Sequence, residues 1–303
     1  MDRMDTMDRM DDGAGGGSGT TVTPRGAARP VVKWAGGKRQ LLSRIRDRMP
    51  GDVGTYHEPF LGGGALFLDL APGRAVINDA NPQLVNLYRR VRDDPEGLMA
   101  EVDDVQGGYN RLGSMGAKDA EYLALRDEFN VCLERGTEDT RAAALMLFLN
   151  KAGFNGLFRV NGRGMFNVPP AHRAEVHAYD RDNIMAVSEA LGRATILCGD
   201  FGDACRGASE GDFVFLDSPY HSTFDTYRAG GFSEDDHRRL ARLFGELSDR
   251  GVACMLTNSD TPLIRELYGD FHVEEVDVRR AINRDGSGRR GRELIVTNPG
   301  AWG

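Results

Sequence analysis

The sequence predicts an α/β protein with a parallel sheet and an inserted region, and three observations carry that expectation. Short apolar segments ending in Gly or Asp turns alternate with helix-length patterns, as they do where parallel strands are joined by helical crossovers. A run of three glycines, Gly62 to Gly64, stands between the first apolar segment and a helical one. The rhythm then breaks from Lys151 to about Arg181, where Gly, Asn and Pro accumulate, and an insertion of this kind usually carries specificity.

Taken in order, residues 1–28 repeat Met-Asp-Arg units and then run through Gly and Ser, a composition expected of a disordered tail. Strands are expected around Tyr56–Phe60, Ala75–Ile77, Thr195–Cys198, Phe213–Leu216, Val252–Thr257 and Leu294–Thr297, several of them buried on both faces. Helical patterns occupy Ala65–Leu70, Pro82–Arg92, Ala120–Cys132, Thr140–Asn150 and Ser233–Asp249, the last opening on Ser-Glu-Asp-Asp, a good helix start. The expected organisation is a catalytic domain from 29–92 and 184–303, interrupted by an insert over 93–183.

With 303 residues and 40% hydrophobic content, the chain can bury a sizeable core. The four cysteines, Cys132, Cys198, Cys205 and Cys254, form no CxxC pair and have no His cluster nearby, which points to reduced core thiols and to no metal site. No apolar run reaches the roughly 20 residues that span a bilayer, so no membrane partner is expected. A net charge of −8 has the wrong sign for a nucleic-acid binder, but the distribution is uneven. Residues 1–12 hold five Asp against two Arg, net −3, whereas Arg279 to Arg292 holds six Arg against one Asp, net +5.

Three segments carry chemistry. Glu58-Pro59-Phe60-Leu61-Gly62-Gly63-Gly64 is a strand, glycine turn, helix arrangement through which a ligand can approach backbone closely, and Asp79 ends the next strand where an acid can accept from ribose hydroxyls. As residues alone, these fit an adenosine-containing cofactor or a plain turn. Lys33-Trp34-Ala35-Gly36-Gly37-Lys38 sets an aromatic and two cations about a glycine pair; the first Gly of a phosphate loop is missing and Arg39 replaces its Ser or Thr, which removes support for ATP hydrolysis. Asp217-Ser218-Pro219-Tyr220 closes a buried strand at the edge where open α/β sheets hold ligands. Adenine's exocyclic amine is a poor nucleophile because its lone pair is delocalised. A catalyst must accept both amino hydrogens, as Asp217 and the Ser218 carbonyl can, and Tyr220 offers a stacking face.

With these blocks in view, the sequence resembles the Dam-type, alpha-arrangement DNA adenine-N6 methyltransferases from about Val32 to Asn298. KWAGGK, EPFLGGG, NDANPQLVNLY, NKAGFNGLFRVNGRGMFNVP, DSPY and VRRAIN…RRGRELIVTN match that family's blocks in order. The resemblance implies a Rossmann-like S-adenosylmethionine-dependent sheet with an inserted DNA-recognition region containing a β-hairpin. It implies a site-specific enzyme acting on adenine N6 in double-stranded DNA, on a flipped base and within GATC, with restriction-modification, phage and chromosome-maintenance roles all open to it.

By the same resemblance, S-adenosylmethionine is held by Trp34, Ala35, Gly36, Lys38, Glu58, Pro59, Phe60, Gly62, Gly64, Asp79, Asp200, Phe201 and Asp217. Asp217, Ser218, Pro219 and Tyr220 are the catalytic group. DNA is met by Lys33, Phe154, Asn155, Leu157, Arg159 and Asn161; from their charge, Arg279, Arg280, Arg289 and Arg290 fit either a grip on phosphate or a solvated basic loop. Phe154 is expected to wedge into the vacated stack, and Arg159 to read a base edge. As residues alone, Phe154–Asn161 equally describes a Gly-Asn-rich surface hairpin. The protein is expected in the cytoplasm, with the nucleoid, or phage-encoded in a host.

One departure stands out. The family carries two prolines between Asp and the aromatic, whereas here Ser218 takes the first place. Serine supplies the same carbonyl without the fixed φ, so a less rigid turn is expected, and Ser218→Pro is expected to raise the rate. Two rivals share the scaffold: a DNA-binding protein that has lost catalysis, and a glutamine or RNA methylase. Intact Asp217, Tyr220, Lys38 and Asp79 argue against the first, and the 154–161 segment against the second.

Overall fold

The computed structural model describes residues 28–34, 36, 38, 41–221, 231–279 and 290–298. The acidic tail over 1–27, Ala35, Arg280 and Arg289 lie outside them, as do the side chains of Arg279 and Arg290.

Seven strands form one sheet: β1 (Tyr56–Glu58), β2 (Ala75–Asp79), β3 (Ala194–Cys198), β4 (Phe213–Leu216), β5 (Ala253–Ser259), β6 (His272–Arg279) and β7 (Arg290–Thr297), in the order β3-β2-β1-β4-β5-β7-β6. The α/β class expected from the sequence is the one observed. The first five strands are parallel, but β7 runs antiparallel to β5 and β6 antiparallel to β7, so the expectation of a wholly parallel sheet is corrected at one edge. The unexpected strand is β6. Its sequence, HVEEVDVR, places Glu274, Glu275 and Asp277 among three valines, and such charge is what an edge strand uses to refuse further pairing.

Every residue of β1, β4 and β5 is buried; since strand side chains alternate, both faces of the central sheet are covered. The chain builds β1, β2 and β3 outward in one direction and then places β4 on the other side of β1. The point where strand order reverses therefore lies between β1 and β4. There the loops leaving two neighbouring strands diverge and open a crevice at their carboxyl ends.

Ten helices accompany these strands among the described residues: α1 (Leu42–Arg46), α2 (Ala65–Leu70), α3 (Pro82–Asp93), α4 (Pro95–Asn110), α5 (Met115–Arg135), α6 (Thr140–Ala152), α7 (Arg181–Leu191), α8 (Phe201–Ala204), α9 (Glu234–Asp249) and α10 (Pro262–Leu267). In α9 the Ser233 hydroxyl accepts from the Asp236 amide at 3.2 Å while the Asp236 carboxylate accepts from the Ser233 amide at 3.0 Å, a reciprocal cap. Helix α5 outruns its expected span because Ser114 caps one end and Gly136, at φ 62°, ends the other.

Residues 93–183, the insert expected from the sequence, are mostly helical. Helix α6 is buried continuously from Ala142 to Asn150 and packs against α3, α4 and α5. Insert and sheet share one core: Leu98, Tyr109 and Phe148 belong to the same cluster as Ile77, Phe213 and Phe215. The insert is thus welded to the sheet by apolar packing, and the segment leaving α6 is held in a fixed place.

The thiols are not all in the core. Cys205 and Cys254 are buried, Cys132 is half-buried and Cys198 is exposed, because β3 is the outer strand of its edge and alternate residues face solvent. Among the described residues no helix is long and apolar enough to cross a membrane, and no cluster of three or more His, Cys, Asp or Glu side chains is placed to hold a metal ion.

Candidate active site at the strand ends

The glycine turn after β1 is shaped by its backbone. Gly62 and Gly64 adopt φ of 50° and 66°, a region L side chains rarely enter, and a Cβ on Gly62 would stand 2.8 Å from the Trp34 ring. Trp34 therefore lies directly on the turn and also stacks on Phe158 of the insert, ring centres 5.3 Å apart. Asp79 accepts from the amides of Gly62 and Asn81, both at 2.9 Å, so the acid ending β2 braces the turn after β1. Burial pushes its carboxyl up, against these amide contacts. Asn78 was not among the expected residues, yet its buried amide donates to the carbonyls of Pro59 (2.9 Å) and Gly199 (3.1 Å), tying the β1 turn to the loop after β3.

Glu58 is buried at the end of β1, where it accepts from the Tyr56 hydroxyl at 2.8 Å and the Phe67 amide at 3.1 Å. Burial pushes its carboxyl up to about 8, opposed by the Tyr56 contact and reinforced by nearby Asp217. Lys38 lies close to both acids. Its ammonium pairs with Asp217 Oδ1 at 2.7 Å, donates to the Gly36 carbonyl at 2.5 Å and sits 4.7 Å from the centre of the Tyr220 ring. Thr257 also donates to Asp217 Oδ1, at 2.8 Å. Both contacts fall on one oxygen, so among the described residues Oδ2 is left to accept from a ligand. Tyr220 donates to Glu293 of β7 at 2.8 Å, and burial drives its hydroxyl well above its ordinary value. Ser218 is buried, with Pro219 and Tyr220 half-buried beyond it.

Asp200 caps α8 through the Gly202 amide (2.8 Å) and pairs with Arg239 of α9 (2.7 Å). Burial would raise its carboxyl, but the Arg239 and Gly202 contacts outweigh it and hold the group below its ordinary value. The same guanidinium lies 4.1 Å over the ring of Phe201, which packs on Phe60 at 5.3 Å. Arg239 gave no signal in the sequence, since it is one of several arginines on an amphipathic helix.

The structure joins Lys33 to the insert. Asn150, third from the end of α6, accepts from the Lys33 amide at 2.9 Å and donates to the carbonyls of Lys33 (3.0 Å) and Gly156 (2.9 Å). Phe154 is 52% exposed, an unusual setting for so large an apolar ring, and Asn155 takes a left-handed φ of 57°. The expected hairpin is irregular: residues 154–156 form a 3-10 turn, and two isolated antiparallel bridges, Gly153 to Pro170 and Val160 to Phe166, pair the segment with the returning chain. Asn161 spends its side-chain oxygen on the amides of Arg163 (2.9 Å) and Met165 (3.1 Å), closing that turn. Arg159 is braced from behind by Asn167, whose side-chain oxygen accepts from Nε at 2.7 Å and whose carbonyl accepts from Nη2 at 3.2 Å. Leu157 is half-buried and packs on the core.

A separate cavity of about 530 Å³ opens beside β1, β2 and β3, lined by Thr55, His57, Arg74 and Thr195 among others. None of the expected site residues lines it, and the chemistry-bearing groups converge instead on the β1 and β4 ends.

Residues 34–282 match the family model described as D12 class N6 adenine-specific DNA methyltransferase. The chain belongs to that family. It is 41% identical over 282 residues to the Type II methyltransferase M1.LlaDCHI of Lactococcus lactis subsp. cremoris, covering 90% of this chain and 96% of the relative. Against the Type II methyltransferase M.MjaIII of Methanocaldococcus jannaschii it is 34% identical, covering 89% and 99%. Against a DNA adenine methylase of Vibrio cholerae it is 30% identical, covering 86% and 92%. The D12 methyltransferase is thus an enzyme of adenine-specific DNA methylation on a seven-stranded, Rossmann-like α/β sheet. The ordered blocks from Trp34 to Tyr220 lie within the matched region, and the last block runs past its end to Asn298.

Proposed function

We propose that the enzyme transfers the methyl group of S-adenosylmethionine to N6 of an adenine turned out of duplex DNA, within GATC. The observation that carries the reading is the convergence of Asp217, the Ser218 carbonyl and Tyr220 at the end of β4 with the glycine turn at the end of β1, joined by the Lys38 ammonium.

The residues fit the methyl donor. The left-handed glycines leave backbone open where a Cβ would strike Trp34, and Asp217, paired with Lys38, stands near Glu58, a buried carboxyl that is neutral on its own and that a ligand's positive charge would draw into ionising. Such a pair of acids suits a ligand bearing a sulfonium and an ammonium. Trp34, Gly36, Lys38, Glu58 and the 59–64 turn would hold its methionine end, Asp79 its ribose, and Asp200 with Phe201 its adenine. When bound, S-adenosylmethionine supplies an electrophilic methyl group.

The chain's own residues do the rest. Asp217 Oδ2 accepts one hydrogen of the target amine and the Ser218 carbonyl the other, which turns the nitrogen lone pair out of the ring plane. The ring of Tyr220 stacks on the captured base, a contact worth roughly 1–3 kcal/mol. Attack by N6 forms the N–C bond as the S–C bond breaks, and the amine proton leaves to solvent. Phe154 fills the gap in the stack, and Arg159, held by Asn167, reads a guanine edge. Work beside a restriction endonuclease is part of the proposal, because two relatives carry Type II names.

The test incubates the protein with labelled S-adenosylmethionine and unmethylated duplex DNA, then digests with nucleases that cut GATC only when methylated or only when unmethylated. Label in N6-methyladenine with a change in GATC cleavage supports the whole reading. Label without that change removes GATC, and absence of label despite DNA binding removes the reaction.

A further inference from the structure

The last three residues of β5 act together on the turn that leaves β4. Thr257 donates to Asp217 Oδ1 at 2.8 Å, Asn258 Nδ2 donates to Ser218 Oγ at 3.2 Å, and Ser259 Oγ donates to the His221 carbonyl at 2.6 Å. Asn258 does two things at once, because its side-chain oxygen also accepts from the His221 amide at 3.0 Å. The register explains why. Leu216 of β4 lies opposite Leu256 of β5, so the residues following each strand run side by side as the turn begins.

Asn258 has no accessible surface, and Ser218 is 2% exposed. A buried amide in this position has fixed partners, since water is not there to replace them. One side chain thus pins residue 218 and residue 221, and Pro219 and Tyr220 are carried between the two fixed points. Ser218 has no ring to set its φ, but its hydroxyl is an anchor that proline lacks. The flexibility expected from the sequence is offset by a hydrogen bond from the neighbouring strand.

We infer that Asn258 is a positioning residue for methyl transfer, holding the Ser218 carbonyl and the Tyr220 ring in fixed relation to Asp217 through Ser218 Oγ and the His221 amide. The inference rests on the proposed roles of residues 217 to 220. It reverses the expectation for Ser218→Pro: that substitution removes the acceptor of a buried N–H, and the rate falls.

The experiment compares the full-length wild type with Asn258→Ala, Ser218→Ala and the double variant. It measures kcat and KM for S-adenosylmethionine on unmethylated plasmid DNA, together with the melting temperature. Each single variant is expected to lose tenfold or more in kcat, with KM within twofold and melting above the assay temperature. The double variant is expected to fall no more than threefold below the weaker single, because the Asn258–Ser218 contact is common to both substitutions. A kcat within threefold of wild type in Asn258→Ala, or single losses that multiply in the double, overturns the inference. If Asn258→Ala melts below the assay temperature, Ser218→Ala decides alone, and an unchanged kcat there overturns it. An inactive wild type would overturn the proposed reaction and this inference with it, whereas an active wild type with unaltered variants overturns the inference only.

Discussion

Glu58→Gln isolates the electrostatics of the strand-end cluster. The carboxyl ionises near 4.5 when free and near 8 in the folded protein, with burial as the largest cause. Between those values the folded chain keeps a proton that the unfolded chain has lost. The contribution of Glu58 to stability is therefore fully present below about pH 4.5, falls as pH rises, and is gone above about pH 8. At about 1.4 kcal/mol per pH unit, that interval sets a ceiling of roughly 5 kcal/mol. Water entry and side-chain movement bring the expected effect to about 2–3 kcal/mol. Glutamine has the shape of the protonated acid and can still accept from Tyr56 and Phe67, so it keeps the contacts and removes the titration. Urea denaturation at about pH 4 is expected to give equal stabilities, within about 0.5 kcal/mol. At pH 9 the variant should be the more stable by about 2–3 kcal/mol. A gap that is the same at both pH values, or a variant that is weaker at pH 9, would refute the assignment of a neutral, buried Glu58.

Other expectations follow from single contacts. Gly62→Ala puts a Cβ 2.8 Å from Trp34 at a φ of 50°, and should lower stability by about 1–3 kcal/mol and weaken S-adenosylmethionine binding; a neutral result in both denaturation and calorimetric titration would contradict the role of the turn. Phe154→Ala should leave stability within about 0.5 kcal/mol, because the ring is half in solvent, yet reduce the methylation rate; equal rates on duplex DNA would remove the wedge. Arg159→Ala should lose about 1–3 kcal/mol of discrimination at one base pair, and Asn167→Ala a smaller part of it; both are read from methylation of duplexes with single base changes, where a uniform loss across all duplexes would speak against base reading. Asp217→Asn should abolish transfer, and retained labelling of DNA would sink the catalytic assignment.

Much of the fold was legible because its signals are local. Strand β4 and the Asp217–Tyr220 turn declare themselves by four apolar residues followed by a Pro-containing break, and the glycine turn after β1 by residues that only a left-handed backbone requires. Helix α4 carries an equally local signal, since Leu98, Val102, Val105 and Tyr109 repeat at helical spacing behind an Asp94-Pro95 start. Strand β6 was not, because its acidic residues follow from an edge position that only the sheet order assigns.

By itself, then, the sequence determined the class of the fold, the two loops that bear the chemistry and the ordered blocks that mark the family. The tertiary structure alone decided which side chains meet. Lys38 reaches Asp217 and Arg239 pairs with Asp200, while Asn258 holds Ser218 because β5 lies beside β4 and Asn78 ties two loops because β2 lies between β1 and β3. The physical reason is one of range. Turns and helix caps are written in residues a few places apart, whereas a buried hydrogen bond across strands depends on an order of strands that no short segment encodes.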